Sequence, residues 1–145
     1  VGRAAALHDV GKLAVPDAIL SKPGRLTPEE YDVVKEHPAR GVEVIGRVAS
    51  LREELPGVLH HHEWYDGSGY PHGLRGEDIP LSARILAVAD VYDALTSARP
   101  YRGALTEDEA LAHLRRMAGT QFDGVVVESF ARIEPAWRER RRRAV

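Results

Sequence analysis

The sequence has 145 residues, no cysteine and a formal net charge of −2 at pH 7. This length fits one domain, and the small net charge excludes a general nucleic-acid-coating protein, since that function needs clustered Lys and Arg. Without cysteine there is no disulfide or thiolate metal site, so nitrogen and oxygen must hold any metal. We therefore expect a soluble domain with no DNA partner. The sequence contains no run of about 18 apolar residues, so we also expect no membrane span.

The first helical pattern, VGRAAALHDVGKL, is apolar and alanine-rich up to His8 and is broken at Gly11. It already has the composition of a helix interior, and the sequence opens on Val1 rather than on methionine. We therefore expect the chain to be a piece of a longer polypeptide.

The next helices follow in quick succession. LTPEEYDVVKEH has Thr27 as N-cap, Pro28 at the first helical position and Glu30 completing a capping box. The helical register resumes after Pro38 in ARGVEVIGRVASL, and PGVLHHHEW predicts a helix with histidines near its C-terminal end.

Three helices are predicted in the second half. LSARILAVADVYDALTSA, with Ser82 as its expected cap, is apolar on most of its circumference and should be the buried central helix. LTEDEALAHLRRMAG repeats the capping box with Thr106 and Glu109 and ends at Gly119. FDGVVVESFARI predicts a last helix with Asp123 as its cap.

These elements predict an all-α domain over residues 1–134, a bundle of about six or seven helices. Residues 135–145 form a basic tail, either disordered or a solvated helix end. Residues 65–80, YDGSGYPHGLRGEDIP, form a long glycine-containing connection that we call the GYP loop. Loops of this length in compact domains are often functional.

Several polar residues interrupt apolar helix patterns. The adjacent His8 and Asp9 follow an alanine-rich run, and Asp90 shares a helix face with Leu86. A buried, unpaired carboxylate would cost several kcal/mol, so each of these positions calls for a cation. With His37 and the histidines at 60–62 they make a sulfur-free donor set that suits iron, manganese or zinc.

Each feature also has an ordinary structural explanation. A single histidine such as His37 is more often a core or surface residue than a ligand, and Arg84 could pair with Asp90. The three consecutive histidines could be a solvated helix end. Their joint occurrence in a chain with only seven histidines favours the metal site, although periodicity alone leaves both explanations open.

Four segments carry a resemblance to a known family: HDVGK (8–12), HP (37–38), HHEWYDGSGYPHGL (61–74) and VADVYDALTSARPYR (88–102). Together they resemble the HD-GYP family, the branch of the HD phosphohydrolase superfamily that hydrolyses cyclic di-GMP. The resemblance runs from about residue 5 to residue 130. The pattern HHExxDGxGYP is highly specific, whereas HDxGK alone indicates only the wider superfamily.

The resemblance implies a role for eleven residues. Asp9 is expected to bridge two ions, and Lys12 to lie beside the bridging water and the scissile phosphate; these two are the catalytic residues. The implied metal ligands are His8, Asp9 and Asp90 on the first ion, and His37, His61 and His62 on the second. The positions implied near the dinucleotide are Tyr70, Asp93, Arg99 and Arg102. His60 falls outside the pattern and is given no role.

The resemblance further implies two or three divalent ions, iron or manganese, and hydrolysis of cyclic di-GMP to linear pGpG or GMP by a metal-bridging hydroxide. In the family, an upstream helix supplies one more histidine, so the metal shell here is expected to be incomplete on one side. The alternatives are a non-catalytic module that binds cyclic di-GMP or docks a GGDEF-domain diguanylate cyclase through the GYP loop, and a phosphohydrolase for another nucleotide. The resemblance also implies a cytoplasmic location and an N-terminal receiver or sensor domain, and a homodimer completes the expected partners.

Overall fold

The computed structural model describes residues 2–98 and 103–143, without the side chains of residues 140–143. Its α-helices are α1 (Gly2–Leu7), α2 (Asp17–Leu20), α3 (Pro28–Lys35), α4 (His37–Ile45), α5 (Leu55–His60), α6 (Leu81–Thr96), α7 (Glu107–Arg116) and α8 (Gly124–Arg143). Short 3-10 helices cover Val10–Ala14, Ala49–Glu54 and Gly76–Asp78. The predicted all-α class is confirmed: within the described ranges there is no β-strand, only one isolated bridge between Ala118 and Phe122.

Helix α6 lies at the centre of the bundle, as its apolar pattern predicts. Its residue Leu86 packs with Ala4, Ile45 and Val58 of α1, α4 and α5 in one buried cluster. Further along the same helix, Val88 belongs to a second cluster formed with α7 and α8. Helix α6 therefore contributes to both clusters and connects the two parts of the core.

Both predicted capping boxes are present. The Thr27 hydroxyl accepts a hydrogen bond from the Glu30 backbone N–H, and the Glu30 carboxylate accepts one from the Thr27 N–H. Thr106 and Glu109 make the same reciprocal pair at the start of α7. These bonds satisfy N–H groups that a helix start otherwise leaves without a partner.

The predicted cap of α6 is wrong. The helix begins at Leu81 with Pro80 in the N-cap position, and no side chain caps it. The Pro80 carbonyl instead accepts the first helical hydrogen bonds. Ser82 lies in the first turn and packs against α5, where a Cβ on Gly57 would come within 3.2 Å of its hydroxyl. A small residue is needed there because α5 and α6 approach closely.

Asp123 caps α8, as predicted, because its carboxylate accepts a hydrogen bond of 2.8 Å from the Val125 N–H. The helix then continues through Pro135 to Arg143. The described part of the basic tail, residues 135–143, is therefore helical, which is one of the two states predicted for it. The helix is continuous across residue 135.

Candidate metal centre

The His8–Asp9 pair lies in the turn that follows α1, which ends at Leu7 rather than continuing through the pair. Gly11, two residues after Asp9, determines the position of this turn. A Cβ on Gly11 would lie 1.9 Å from the His37 carbonyl oxygen, so only glycine lets the segment pack against the backbone of α4. This approach places Asp9 Oδ1 at 3.4 Å from His37 Nε2.

The histidines that face Asp9 come from the ends of two helices. His37 is the first residue of α4, while His61 and His62 directly follow α5. Successive side chains within a helix diverge by about 100°. His61, directly after α5, still has right-handed helical backbone angles (φ −67°, ψ −11°), yet the rings of His61 and His62 lie with centroids only 4.0 Å apart.

Three of the imidazoles are oriented by the same contact, a hydrogen bond from Nδ1 to the backbone carbonyl three residues earlier. A carbonyl can only accept, so Nδ1 carries the proton and Nε2 of the neutral ring presents its lone pair. Ligating histidines in proteins are typically fixed in this way. The bonds join His8 to Ala5 at 2.8 Å, His37 to Val34 at 2.8 Å and His61 to Val58 at 2.7 Å.

This arrangement leaves electron pairs facing one another. The Nε2 atoms of His37 and His61 are 3.3 Å apart, and neither carries a proton when its Nδ1 does. Two lone pairs at this distance repel unless a cation lies between them. The separation is also close to the roughly 3.3 Å between two ligands placed about 2.0–2.1 Å from a tetrahedral ion. The residues present therefore fit a bound metal.

All six predicted ligand residues meet at this place. His8 Nε2 lies 3.6 Å from Asp9 Oδ2 and 3.5 Å from Asp90 Oδ1. The donor atoms form two overlapping groups, each with all its atoms within 4.8 Å of one another. One group is His37, His61 and His62; the other is His8, Asp9 and His61. His61 thus lies between the two groups, although the resemblance implied that it serves the second ion alone.

The protonation states also suit a cation. Burial lowers the pKa of His61 to about 4 and that of His62 to about 3, so both rings are neutral near pH 7. The nearby ring of His8, whose Nε2 lies 3.5 Å from Oδ1, lowers the pKa of Asp90. Burial acts to raise the pKa of Asp9, but the hydrogen bond and charge of Lys12 outweigh it, and the pKa is lowered. The centre therefore combines neutral nitrogen donors with ionised carboxylates.

The alternative partner for Asp90 is not used. Arg84 pairs with Asp123 instead, at 2.6 Å from Nη1 to Oδ2, and both side chains are mostly buried. Asp90 faces His8, whose pKa is raised first of all by the nearness of this carboxylate. Asp90 is thus turned towards the histidine cluster.

A cavity of about 350 Å³ opens beside the cluster. The ring of Tyr70 stacks on His62 with a centroid separation of 4.8 Å, and Lys12 lies on the same wall, with its Nζ 2.7 Å from Asp9 Oδ2. Tyr31 of α3 meets the edge of Tyr70 at 6.4 Å and also lines the cavity. Sequence reasoning missed Tyr31, because nothing in its helix pattern distinguishes it from a surface tyrosine.

Of the other residues predicted to lie near a dinucleotide, Asp93 is described by the structure and does not line this cavity. Asp93 is exposed and lines a separate, larger groove of about 540 Å³ that also reaches His8 and Asp90. Arg99 and Arg102 lie outside the described residues. Of the two predicted substrate residues that the structure describes, Tyr70 therefore lines the cavity at the cluster and Asp93 does not.

The GYP loop is held against the centre by a residue that was assigned no role. The Glu63 side chain is fully buried, and its two oxygens accept hydrogen bonds from the backbone N–H groups of His72 at 2.7 Å and Leu74 at 3.1 Å. Gly69 allows the loop to pack closely on the backbone before it, because a Cβ there would come within 2.2 Å of the Trp64 backbone nitrogen.

Comparison with known proteins agrees with these observations. The family model described as "HD domain" matches residues 1–126. This chain belongs to the HD domain family. The HD-GYP resemblance is confirmed by its relatives: over 131 residues the chain is 53% identical to the cyclic di-GMP phosphodiesterase response regulator RpfG of Xanthomonas campestris, with 89% of this chain and 35% of the relative covered.

Two further matches differ in the substrate that they name. The chain is 42% identical over 132 residues to 3'3'-cGAMP-specific phosphodiesterase 2 of Vibrio cholerae, covering 88% of this chain and 25% of that one. A crystal structure of a cyclic GMP-AMP specific phosphodiesterase from V. cholerae superposes with a TM-score of 0.66, at 19% identity, over 89% of this chain and 36% of that one. The likeness to this structure confirms the fold. The chain spans about a third or less of the curated relatives' length.

None of the helices in the described part of the chain combines the length and the apolar character that crossing a lipid bilayer requires.

Proposed function

We propose that this domain is a metal-dependent phosphodiesterase that hydrolyses cyclic di-GMP. The observation that supports it is the convergence of six potential ligands beside one open cavity: His8, Asp9, His37, His61, His62 and Asp90. Four of them, His37, His61, His62 and Asp90, line the cavity together with Lys12. A phosphodiester is an anion and a poor electrophile, so its hydrolysis needs both neutralisation and an activated water molecule. Bound divalent ions would supply both, by drawing charge from a phosphoryl oxygen and lowering the pKa of water towards 7.

The donor set supports iron or manganese as the ions. It contains only imidazole nitrogens and carboxylate oxygens, which are hard or borderline donors. Asp9 reaches His8 with one oxygen and His37 with the other, at 3.6 and 3.4 Å, so its carboxylate lies between the two donor groups. That position supports its role as the bridging ligand between two ions.

The remaining residues of the cavity would bind and orient the substrate. Lys12 holds a positive charge next to Asp9, where it can pair with phosphoryl oxygens and stabilise negative charge that develops on them. Tyr70 presents an aromatic ring in contact with His62, and stacking of a base on such a ring contributes about 1–3 kcal/mol. A cavity of about 350 Å³ is at the small end of ligand pockets and suits one phosphodiester with part of a nucleotide.

The substrate test compares two cyclic dinucleotides, because relatives are named for each. The domain, reconstituted anaerobically with Fe²⁺ or Mn²⁺, is incubated separately with cyclic di-GMP and with 3'3'-cGAMP, and pGpG, GMP and other products are separated chromatographically. We expect faster turnover of cyclic di-GMP, with no turnover after chelation. Faster hydrolysis of 3'3'-cGAMP would refute the substrate, and metal-dependent binding without any product would refute the enzyme.

The site is tested by Asp9→Ala and His61→Ala, with His113→Ala as the matched control because His113 lies on α7 outside the donor groups. We expect both site variants to lose hydrolysis and bound metal while the helical content is kept, and the control to match the unsubstituted protein. Undiminished turnover in either site variant would refute the assignment.

We also propose that the domain works under the control of a receiver or sensor domain in the same polypeptide. The support is that one relative, named as a response regulator, is about three times longer than the matched segment. Arg99 and Arg102 as nucleotide contacts, a diguanylate cyclase partner at the GYP loop, a homodimer and a cytoplasmic location stay predictions.

A further inference from the structure

A second group of potential ligands lies where the GYP loop meets the end of α5, and one of its members, Glu63, also lines the catalytic cavity. His60, the last residue of α5, faces Glu63 and the loop residue His72, and one donor atom from each lies within 4.8 Å of the others. None of these three residues belongs to the two donor groups of the metal centre described above.

The contacts in this group are too long for hydrogen bonds. His60 Nδ1 lies 3.6 Å from Glu63 Oε1, beyond the 2.7–3.2 Å that an N–H···O bond requires. The atom is buried and has no hydrogen-bond partner in the described part of the chain. An approach of 3.5–3.6 Å between imidazole nitrogen and carboxylate oxygen also occurs in the main centre, between His8 and Asp9 or Asp90.

The buried charge of Glu63 is a second indication that a cation binds here. The Glu63 side chain is completely buried, yet among the described residues no lysine or arginine forms an ion pair with it. Its carboxylate accepts two backbone N–H bonds, which orient it but bring no net charge. A buried carboxylate without a cation is unfavourable by several kcal/mol. The nearby groups that could supply a positive charge are the two imidazoles, or an ion held by them.

We propose that His60, Glu63 and His72 form a second binding site for one divalent cation of the zinc type, separate from the catalytic ions. Two nitrogens and one carboxylate oxygen suit such an ion, and water can complete its shell because His72 is exposed. The rings of His60 and His72, with centroids 5.1 Å apart, need only rotate to bring their nitrogens to a common point.

The ion would fasten the GYP loop to the end of α5. His60 immediately precedes the ligands His61 and His62, and His72 lies two residues after Tyr70. Binding at this site therefore stabilises the loop in the position that closes one side of the catalytic cavity. It makes the order of the loop depend on the concentration of the cation, without adding a ligand to the catalytic ions.

The test uses His72→Asn, because His72 is exposed and its removal does not disturb the core. The full 145-residue chain is freed of metal by chelation and titrated with Zn²⁺ alone, and bound zinc is counted by elemental analysis after equilibrium dialysis. His113→Asn is the matched control. We expect His72→Asn to bind one zinc fewer than the control, or to bind that zinc at least about tenfold more weakly, since even indirect partners of a ligand affect affinity this much.

Hydrogen exchange then tests the effect on the loop. Zinc should slow exchange of the His72 and Leu74 amides, which donate to Glu63, in the control but not in His60→Asn. Neither measurement involves turnover, so failure here is distinct from failure of the proposed phosphodiesterase. Equal zinc stoichiometry and affinity in His72→Asn and the control would overturn the site, and zinc binding without slower exchange would overturn its action on the loop.

Discussion

Gly11 offers the sharpest test of how the metal centre is assembled. In Gly11→Ala the added methyl group would lie 1.9 Å from the His37 carbonyl oxygen and 2.5 Å from the Gly41 nitrogen. Both are backbone atoms, so no side chain can move aside. Ordinary contact between such atoms is about 3.5 Å, and the turn that carries Asp9 must therefore move away from α4 by roughly 1.5 Å.

Gly11→Ala is expected to lower both the stability and the turnover of the protein. Overpacking of this kind costs about 1–3 kcal/mol, and the backbone contact places this variant near 3 kcal/mol, or about 6–12 °C in Tm for a domain of this size. A misplacement of about 1 Å can also lower turnover roughly 100-fold. Since Asp9 and His37 would separate, the metal affinity should fall as well.

The assay compares Gly11→Ala with Gly2→Ala, whose methyl group would meet nothing within 4 Å. Thermal unfolding, bound metal and turnover are measured on the same preparations. We expect all three to fall in Gly11→Ala and to be unchanged in Gly2→Ala. Wild-type metal content in a folded Gly11→Ala protein would refute the view that this glycine sets the distance between Asp9 and His37.

The remaining predictions concern stability. Metal-free protein should lose stability as the pH falls from 6.5 to 4, because the pKa of His61 is lowered to about 4 in the folded protein and protonation therefore favours the unfolded chain. The full pKa difference corresponds to about 3 kcal/mol of unfolding free energy, measured by urea unfolding at each pH. The loss should be smaller in His61→Asn. Asp123→Asn should lower the free energy of unfolding by about 3–5 kcal/mol, since it leaves the mostly buried Arg84 unpaired, and a loss below 1 kcal/mol in urea would contradict this. Thr106→Ala should cost about 1 kcal/mol by the same assay through loss of the α7 cap, and Thr120→Ala outside any helix start is its comparison.

Local rules explain which parts of the fold could be predicted. The two capping boxes and the Asp123 cap depend on residues two or three positions apart, so the sequence contains all the partners. Ser82 failed as a cap because its position is decided by packing against Gly57 of α5, 25 residues earlier in the chain, where a small side chain is required. The end of α1 at Leu7 likewise depends on α4, against which Gly11 packs.

The sequence by itself determined the chemistry of this protein: the donor types, the absence of sulfur ligands and the family motifs are properties of residue identity and spacing. Only the tertiary structure decided which donors face one another, that His61 belongs to both groups and that Arg84 turns to Asp123 instead of Asp90. It also revealed Glu63 and His60 beside the GYP loop. The physical reason is that ligand geometry depends on distances between segments tens of residues apart, which packing of α1, α4, α5 and α6 fixes and no local pattern encodes.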